Sequence, residues 1–357
     1  MDQKILILSF SGIGNSLMAA PFINCLRQKI NHAQVDILCL DRAMAEAFKL
    51  VCGQRGVCSL SGGARDKLKQ ILKLRREKYD FCVTVFPSNK WQFDLISFLS
   101  GAKKRVSHVY RANRFSAFLQ NMKIPAHDDL HDVEQNLLLL KAFGQDGGDC
   151  CRSLIFNLSE ADKEFAEKFI ASNIPDGSFL VGMHPGAGSD YGNQGWQGKS
   201  KRWSEENFAA LCDRLIEEKN GCVILFGGKN ELDLKNRVKT LALHGDKVFL
   251  ADTFTLSQAA ALVNRCGLFI SNDSGLMHLA AFMNVPVLGI FGPTNYRRTA
   301  PCGEKSFYIR SEEACAPCLK YPFNSTSSKL VCRDGFKCFD ALSVGRIMQF
   351  LEAKRLI

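Results

Sequence analysis

The sequence predicts an α/β protein made of two parallel-sheet domains, and three observations support this. Short β-rich runs alternate with segments of helical periodicity, which is typical of βαβ units. The alternation restarts after a polar stretch at 152–178, and 357 residues suffice for two domains of ordinary size. Glycine-rich loops follow several strands, where doubly wound domains bind their ligands. We therefore expect two Rossmann-like domains whose strand ends face a central cleft.

In the first half, apolar runs indicate strands and amphipathic segments indicate helices. The predicted helices cover 15–30, 64–78 and 91–100. The predicted strands are ILIL (5–8), VDILCL (35–40), FCVTVF (81–86) and RVSHV (105–109).

The second half repeats the pattern after a polar helix at 159–173. A last amphipathic stretch is expected to pack back on the first domain. The predicted domains are therefore 1–158, 159–338 and a C-terminal helical segment, 339–357. The predicted strands of the second domain are FLVGMHP (179–185), CVILFG (222–227), KVFLAD (247–252), LFISND (268–273) and VPVLGIFG (285–292).

The composition is that of a globular protein, and we expect it in the cytoplasm. Hydrophobic residues make up 46% of the chain and charged residues 23%, as in ordinary globular domains. No run approaches the ~18 apolar residues of a membrane span, and the N-terminus lacks a signal-peptide pattern. Most of the 15 cysteines stand singly in apolar runs, such as Cys39 and Cys82, where we expect buried, reduced thiols.

The net charge of +10 is unevenly distributed along the chain. Residues 64–78 contain seven basic side chains against two acids, and residues 101–127 contain six basic side chains and no acid. Such runs are either a solvated face or a surface for an anionic partner. We expect a phosphorylated glycolipid rather than nucleic acid, because no zinc-finger or RNA-binding signature is present. Arg75, Arg76 and Arg105 are the candidate contacts.

The loop SGIGNSL (11–17) follows the first strand but does not fit the dinucleotide fingerprint. That fingerprint needs a third glycine where Leu17 stands, and no acidic residue ends the second strand as expected. A tight turn alone would explain Gly12 and Gly14. A helix beginning at Asn15 would also aim free backbone N–H groups into the cleft.

The segment SNDSGLMHLAAFMNVPVLGIFGPTN (271–295) carries the most information. A buried strand is followed at once by a helix, so Asp273 or Ser274 can cap the helix and Gly275 permits close approach to the backbone. Amides at such an N-terminus form an anion site, and His278 on the first turn can donate to a phosphate. A plain cap and a satisfied histidine would explain an isolated pair equally well. A second polar loop after the next strand favours a site.

A further strand-end loop covers MHPGAGSDYGNQGWQGKSKRW (183–203). Its glycines precede Lys201, which suits contact with a diphosphate. The alternative is a solvated lysine in a flexible loop.

In the correct order along nearly the whole chain, these motifs resemble glycosyltransferase family 9, the heptosyltransferase-like enzymes of lipopolysaccharide assembly. The matching elements are HPGAGS…KRW, FGGKNE (226–231), DTFTLSQAAALV (252–263), NDSGLMHLAA (272–281), FGPT (291–294) and, in the first half, SGIGNSL and HDVEQNLLLLKAFG (131–144).

The resemblance implies a GT-B fold whose second domain holds the donor nucleotide, and a first-domain glycine loop that faces the acceptor. It implies no metal cofactor for catalysis, because lysine, histidine and a helix N-terminus can stabilise a departing nucleoside diphosphate. It implies that Gly188, Ser189 and Lys201 contact the diphosphate and that Glu231 contacts the ribose. It further implies a base pocket lined by Phe254 and Leu256. The residues implied around the phosphates and the sugar are Asp273, Ser274, Gly275 and His278.

Asn15 departs from the family pattern, in which an aspartate at this position is the proposed base. An amide cannot accept the proton of the acceptor hydroxyl. Three explanations stay open. His131 can serve as the base, since imidazole titrates near neutral pH. Alternatively, the acceptor needs little base assistance, or the chain binds its ligands without turning them over.

Four cysteines near the C-terminus differ from the others. Cys315 and Cys318 form a C-x-x-C pair, and Cys332 and Cys338 follow in a loop-rich stretch. This pattern favours a four-thiolate site for structural zinc or an iron–sulfur cluster. The wide spacing of the second pair favours reduced thiols instead.

The resemblance therefore implies an inverting, metal-independent glycosyltransferase. We expect it to move heptose from ADP-heptose to a lipopolysaccharide-core or related anionic glycolipid, in peripheral contact with the cytoplasmic membrane face. The alternative is a catalytically impaired sugar-nucleotide-binding protein, for which Asn15 is the sequence feature. A sugar-nucleotide epimerase would need further acid/base carboxylates. The candidate catalytic residues are Asn15, His131, Lys201, Asp273 and His278.

Overall fold

The computed structural model describes residues 3–110, 114–187, 201–252, 254–319, 322, 332 and 337–357. These residues form two compact units that divide between Asn157 and Leu158. Pro322 belongs to the first unit, where its carbonyl accepts a hydrogen bond from Asn89, and the C-terminal residues belong to the second. Each unit has its own six-stranded parallel sheet.

The first unit is a doubly wound sheet. Its strands are β1 (Lys4–Ser9), β2 (Gln34–Cys39), β3 (Val57–Ser59), β4 (Phe81–Thr84), β5 (Lys104–Val109) and β6 (Met122–Pro125). They lie in the order β3-β2-β1-β4-β5-β6, and Ile5 of β1 is opposite both Val35 and Phe81. The order reverses between β1 and β4. The loops after these two strands therefore lie at the topological switch point, where such folds bind ligands.

Helices connect these strands, and local sequence explains where they begin. Gly12 precedes the first helix with a φ of 89°, a conformation that favours glycine. Asp41 caps the second by accepting a hydrogen bond from the Met44 N–H at 3.0 Å. The α-helices are α1 (Ile13–Lys29), α2 (Arg42–Cys52), α3 (Ala64–Leu74), α4 (Trp91–Leu99) and α5 (Asp132–Leu137), with 3₁₀ turns at Arg75–Glu77, Ala117–Leu119 and Leu138–Phe143.

The second unit repeats this topology. Its strands are β7 (Phe179–His184), β8 (Gly221–Leu225), β9 (Val248–Leu250), β10 (Leu268–Asn272), β11 (Val287–Phe291) and β12 (Ser306–Arg310). They lie in the order β12-β11-β10-β7-β8-β9, and Ser271 of β10 is opposite His184 of β7. Here the order reverses between β7 and β10. The loops that follow His184 and Asn272 therefore leave the sheet side by side.

Hydroxyl side chains begin most helices of the second unit. Ser159, Ser204, Thr255, Ser274 and Ser343 each accept a hydrogen bond from the backbone N–H three residues later. The helices are α6 (Glu160–Asn173), α7 (Glu205–Lys219), α8 (Leu232–Leu241), α9 (Leu256–Val263), α10 (Gly275–Phe282), α11 (Tyr296–Thr299), α12 (Lys337–Asp340) and α13 (Val344–Ala353), with 3₁₀ turns at Lys229–Glu231 and Gly245–Lys247.

The predicted fold class is confirmed, with two parallel sheets and helices between the strands. Three strands were not predicted from the sequence, namely β3, β6 and β12. All three lie at sheet edges or near them and are short or partly exposed, so they lack the continuous apolar run of a central parallel strand.

The C-terminal helix contributes to the core of the second unit. Ile347, Met348 and Leu351 of α13 lie in that core. The Trp203 indole N–H also donates to the Leu342 carbonyl, just before α13, at 2.8 Å. The apolar face of α13 is therefore buried within the second unit.

Among the residues that the structure describes, no helix combines the length and the apolar character that crossing a bilayer requires. Cys39 and Cys82 are buried free thiols, as expected. Cys25 and Cys150, in contrast, form a disulfide. Both side chains are buried and their Cα atoms lie 5.8 Å apart, which is within the span that a disulfide bridges.

Candidate functional site

Asn272, the last residue of β10, organises the loops around the switch point of the second sheet. Its side chain is fully buried. Its amide donates to the Pro185 carbonyl at 2.8 Å, and its oxygen accepts from the Trp203 N–H at 3.0 Å. One side chain thus fixes the two described ends of the 183–203 segment to the end of β10.

His184 links two further loops. Its Nδ1 atom lies 2.9 Å from the Ser274 hydroxyl, and its Nε2 atom lies 3.1 Å from Oε2 of Glu231. An ionised carboxylate can only accept, so the Nε2–H donates to Glu231. Ser274 also accepts from the Met277 N–H at the start of α10. The N-terminus of α10 and the Glu231 loop are therefore joined through one buried imidazole.

The Glu231 carboxylate is held ionised in a buried position. Burial alone would raise its pKa, but His184, the Gly228 N–H and Arg202 together lower the pKa to about 2. Its Oε2 atom accepts a hydrogen bond from the Gly228 N–H at 2.8 Å. Oε1 is buried and accepts no hydrogen bond from the described residues. This oxygen can therefore accept a hydrogen bond from a ligand in the site.

Gly186 allows the Glu231 carboxylate to approach the backbone after β7. A Cβ atom at position 186 would lie 1.8 Å from Oε1 of Glu231 and 2.7 Å from Nε2 of His184. Such distances leave no room for any side chain larger than hydrogen. The glycine is required by this close approach.

The start of α10 brings a positive and a negative side chain together. Lys201 Nζ lies 4.0 Å from Oδ2 of Asp273, and both side chains are largely shielded from solvent. Ser274 caps the helix, so the cap that the sequence left open between two residues belongs to Ser274. Gly275 begins α10, and His278 follows on its first turn with 3% of its surface exposed.

Behind Glu231, Lys235 of α8 is buried to 1% exposure. Its ammonium donates to Asp252 Oδ1 at 2.5 Å and to the Ala251 carbonyl at 2.9 Å. It also reaches the Gly227 carbonyl at 3.3 Å. This ion pair fastens the loop after β8 to the end of β9.

The two residues proposed for a base pocket lie beside α6 and at the start of α9. The Phe254 ring packs edge-on against Phe165 at 4.8 Å and Phe169 at 5.6 Å. Leu256 is the first residue of α9 and is half-buried. Gly188 and Ser189 lie outside the described residues.

In the first unit, Asn15 lies on the first turn of α1. Its side-chain amide donates a hydrogen bond to the Ser11 carbonyl. Ser11 in turn donates to the Pro87 carbonyl after β4 at 3.1 Å. The loop that contains Gly12 and leads to Gly14 is thus tied across the switch point of the first sheet.

His131 has a structural role at the start of α5. Its Nδ1 atom accepts a hydrogen bond from the Val133 N–H at 3.2 Å, so the imidazole caps the helix. The Nδ1 lone pair is therefore engaged in the helix cap.

The three arginines proposed for the acceptor differ in exposure. Arg75 and Arg76 are exposed in the turn after α3. Arg105 is half-buried, and it donates to the Leu119 carbonyl at 2.7 Å and to the Ala102 carbonyl at 3.1 Å. Arg105 therefore holds its own unit together as well as carrying charge.

The four C-terminal cysteines converge. A cavity of about 260 Å³ is lined by Cys315, Cys318, Cys332 and Cys338, together with Glu313 and Lys337. Burial, followed by the three neighbouring thiols, raises the Cys338 pKa to about 11. Within the described part of the chain, however, no three His, Cys, Asp or Glu side chains are grouped so that they could hold a metal ion.

Comparison with known proteins identifies the family. Residues 67–327 match the model of glycosyltransferase family 9 (heptosyltransferase), which is more than half of the chain. The chain belongs to glycosyltransferase family 9. It is therefore a glycosyltransferase.

The curated relatives of this glycosyltransferase cover most of its length. It is 27% identical over 327 residues to lipooligosaccharide heptosyltransferase 2 of Haemophilus ducreyi and 26% identical over 325 residues to lipopolysaccharide heptosyltransferase 2 of Escherichia coli. In both cases the alignment covers 86% of this chain and 88% of the relative.

Solved structures share the fold. The ADP-heptose lipopolysaccharide heptosyltransferase II of Escherichia coli has a TM-score of 0.73 at 21% identity, covering 99% of each chain. A family 9 glycosyltransferase from Veillonella parvula has a TM-score of 0.76 at 19% identity, covering 99% of this chain and 97% of the other. The GT-B type of fold predicted from the resemblance is thereby confirmed.

Sequence analysis missed three residues that build the glycosyltransferase's second-unit site, namely His184, Asn272 and Lys235. His184 and Asn272 were visible as polar residues at the ends of apolar strands. Lys235 gave no signal, because a lysine on an amphipathic helix is ordinarily exposed.

Proposed function

We propose that this glycosyltransferase transfers heptose from ADP-heptose to a lipopolysaccharide-core or related glycolipid. The observation that carries the proposal is the second-unit site, in which Lys201, Asp273, the α10 N-terminus and Glu231 surround the switch point between β7 and β10. Relatives named heptosyltransferase 2 align over 86% of the chain, and a related structure is named for ADP-heptose. These names support heptose as the sugar.

On the donor side, each group has a chemical task. The N–H groups at the start of α10 and the Lys201 ammonium attract the diphosphate, with His278 on the same turn. Gly188 and Ser189 are proposed as further contacts to the diphosphate. The unoccupied Oε1 of Glu231 accepts from ribose hydroxyls. Phe254 and Leu256 are proposed to line the base pocket.

The reaction inverts the anomeric carbon. The acceptor oxygen forms a bond to the anomeric carbon while the bond between that carbon and the β-phosphate oxygen breaks. ADP leaves with the electron pair of the broken bond. Positive charge at Lys201 and the α10 dipole stabilises the negative charge that develops on the leaving phosphate. The hydroxyl proton is transferred to solvent or to a base. This scheme needs no metal ion.

On the acceptor side, Gly12 and Gly14 let the acceptor approach the loop after β1. Asn15 positions the hydroxyl through its side-chain oxygen, since its amide is already bonded to Ser11. His131 is the weaker candidate base, because its Nδ1 atom serves as a helix cap. Departure of ADP then drives the step, with little base assistance.

The proposed acceptor is an anionic glycolipid at the cytoplasmic face of the membrane. Its proposed contacts are Arg75, Arg76 and Arg105. Arg75 and Arg76 are exposed and suit phosphate groups. Charge reversal at these two positions should raise the acceptor KM and leave donor affinity unchanged. Arg105 is a poorer test, because its guanidinium also binds two carbonyls.

A second candidate function is a sugar-nucleotide-binding protein that has lost catalysis. Asn15 favours it, since the amide cannot act as a base.

A separate proposal concerns the four cysteines around the 260 Å³ cavity. They would form a structural zinc or iron–sulfur site when their thiolates turn toward a metal. Metal analysis of the purified protein, with Cys315→Ser and Cys338→Ser as controls, tests it.

One experiment separates transferase from binder. The protein is incubated with ADP-heptose, with and without a lipopolysaccharide core that lacks the terminal heptose, and ADP is measured. A transferase releases ADP in proportion to the acceptor consumed. Tight donor binding without acceptor-dependent ADP would favour the binding protein.

A further inference from the structure

Four aromatic side chains are exposed on adjoining elements of the first unit. Trp91 and Phe98 lie on α4 with 58% and 45% of their surfaces exposed, and Phe115 and Phe118 lie around the turn at 117–119 with 82% and 76% exposed. Single exposed apolar residues are common, but a contiguous cluster of large ones marks an interaction site.

The helix α4 is apolar on two sides. Its inner side carries Phe93, which is buried and lies 5.1 Å from the Phe10 ring. Its outer side carries Trp91, Leu95 and Phe98, at the i, i+4 and i+7 spacing of one helical face. The core explains only the first side.

Buried polar contacts hold the two exposed pairs together. Asp94 of α4 accepts hydrogen bonds from the Ser116 hydroxyl and from the Gln120 amide, the latter at 3.0 Å. Ser97 donates to Gln120 at 3.3 Å. The segment with Phe115 and Phe118 is therefore fixed against α4, and its rings are presented on a stable base.

Basic side chains surround these rings. The Arg105 guanidinium lies 5.5 Å from the Phe98 ring centre, and the Arg114 guanidinium lies 5.2 Å from that of Phe115. Lys90 adjoins the start of α4. Between residues 90 and 127 the one acidic residue is Asp94, which is buried. The exposed charged side chains between residues 90 and 127 are therefore all basic.

We propose that this aromatic–basic surface, formed by Trp91, Leu95, Phe98, Phe115 and Phe118 with Lys90, Arg105 and Arg114, docks on an anionic phospholipid bilayer. Tryptophan and phenylalanine insert at the boundary between headgroups and acyl chains, and nearby lysine and arginine bind anionic headgroups. A second copy of the chain fits less well, because a two-fold interface would bring like charges together. The charge complementarity therefore selects the membrane.

The inference rests on the proposed function only in its purpose, since a bilayer would present a glycolipid acceptor. Membrane binding itself requires neither donor nor acceptor. A failure of vesicle binding and a failure of sugar transfer are therefore separate results.

The test is co-sedimentation of the full chain with vesicles of phosphatidylglycerol and phosphatidylethanolamine, compared with phosphatidylcholine alone. We expect binding to the anionic vesicles that weakens as salt is raised. Phe115→Ser with Phe118→Ser should lower the affinity roughly tenfold or more, since each partly buried ring contributes a factor of several. Lys90→Glu with Arg114→Glu should do the same at low salt.

Matched controls make the test specific. Ile155→Ser with Leu243→Ser removes two apolar side chains that are each 83% exposed and lie outside this surface, and it should leave binding unchanged. Lys163→Glu with Lys168→Glu is the control for charge, on α6. ADP affinity should be equal in all variants, which shows that they are folded.

Trp91 supplies a direct signal. Its fluorescence should shift to the blue with anionic vesicles, and Trp91→Phe should lose that shift while binding persists. Equal binding by the serine variants and the parent would overturn the proposal. So would a parent that ignores anionic vesicles and instead forms a dimer that the serine variants dissociate.

Discussion

The Nε2 atom of His184 lies 3.1 Å from Oε2 of Glu231, and both side chains are buried at the carboxyl edge of the second sheet. The other ring nitrogen of His184 bonds Ser274, the cap of α10. The proposed ribose contact, Glu231, and the proposed phosphate site at the start of α10 are thus linked by one imidazole. This relationship leads to the first two predictions.

His184→Ala should destabilise the protein by about 1–3 kcal/mol, because it leaves a buried carboxylate and a buried hydroxyl with fewer partners. The donor KM should rise as well. Urea unfolding and steady-state kinetics measure the two effects. His244→Ala is the matched control, since His244 pairs with Glu217 at 2.9 Å on the surface. An exposed pair contributes less than about 1 kcal/mol. Equal losses in the two variants would show that the buried link has no special role.

The pH dependence of stability should report Glu231. Its pKa is lowered in the folded protein from 4.5 to about 2, so ionised Glu231 stabilises the fold. That contribution is fully present above the unfolded pKa and is lost as the pH falls from about 4.5 toward 2. The difference in unfolding free energy between the parent and Glu231→Gln should shrink over this range. A difference that grows on acidification would contradict the assignment.

Gly186→Ala should impair the proposed donor site. The added Cβ would lie 1.8 Å from Oε1 of Glu231, so the carboxylate or the backbone after β7 must move. We expect lower stability and a loss of donor affinity of at least about tenfold, comparable to losing a charge-assisted contact. Calorimetric titration with ADP measures the affinity.

Gly345→Ala is the control for that change. Gly345 lies in α13, and a Cβ there would meet no atom within 4 Å. Alanine in a helix is favoured over glycine by up to about 1 kcal/mol, so this variant should be as stable as the parent or more so. An equal fall in donor affinity in both variants would show that the close approach of Glu231 to Gly186 does not explain the effect.

The sequence was sufficient for the fold class and for the strand ends that carry the second-unit site. Central parallel strands are buried on both faces, so β1, β7 and β10 appear as continuous apolar runs, and the polar residues that follow them mark the ligand edge. Ser274 and Gly275 were located in this way.

The remaining features depend on tertiary contacts that no local pattern contains. The His184–Glu231 pair joins residues 47 apart, and Lys235 is buried because Asp252 and two carbonyls surround its ammonium. The capping role of His131 was missed because histidine is not a usual N-cap residue. The membership of α13 in the second unit likewise follows from packing.

Asn15→Asp should change the rate by less than about tenfold and should not create a strong base. The amide of Asn15 donates to the Ser11 carbonyl, and an ionised carboxylate would repel that oxygen. A base newly installed in a competent position would instead raise kcat by about 10²–10⁴-fold. Such a gain from a nearly inactive parent would support the impaired-enzyme alternative.

His131→Asn separates the two roles of that histidine. Asparagine is a good helix cap but cannot accept a proton as a general base. If His131 only caps α5, the variant should keep its activity and its pH–rate profile. His131→Ala should lose about 1 kcal/mol of stability from the missing cap. An inactive asparagine variant of normal stability would identify His131 as the base.

The most direct test of the account is acceptor-dependent ADP release by Lys201→Ala and His278→Ala, measured against the parent with ADP-heptose and a heptose-deficient lipopolysaccharide core. Each variant should lose about 2–3 kcal/mol of transition-state stabilisation, which is roughly a 30- to 150-fold fall in kcat/KM. EDTA should leave the parent's rate unchanged. Unaltered kinetics in both variants, or a parent rate that EDTA abolishes and magnesium restores, would contradict a metal-free reaction at the β7–β10 edge.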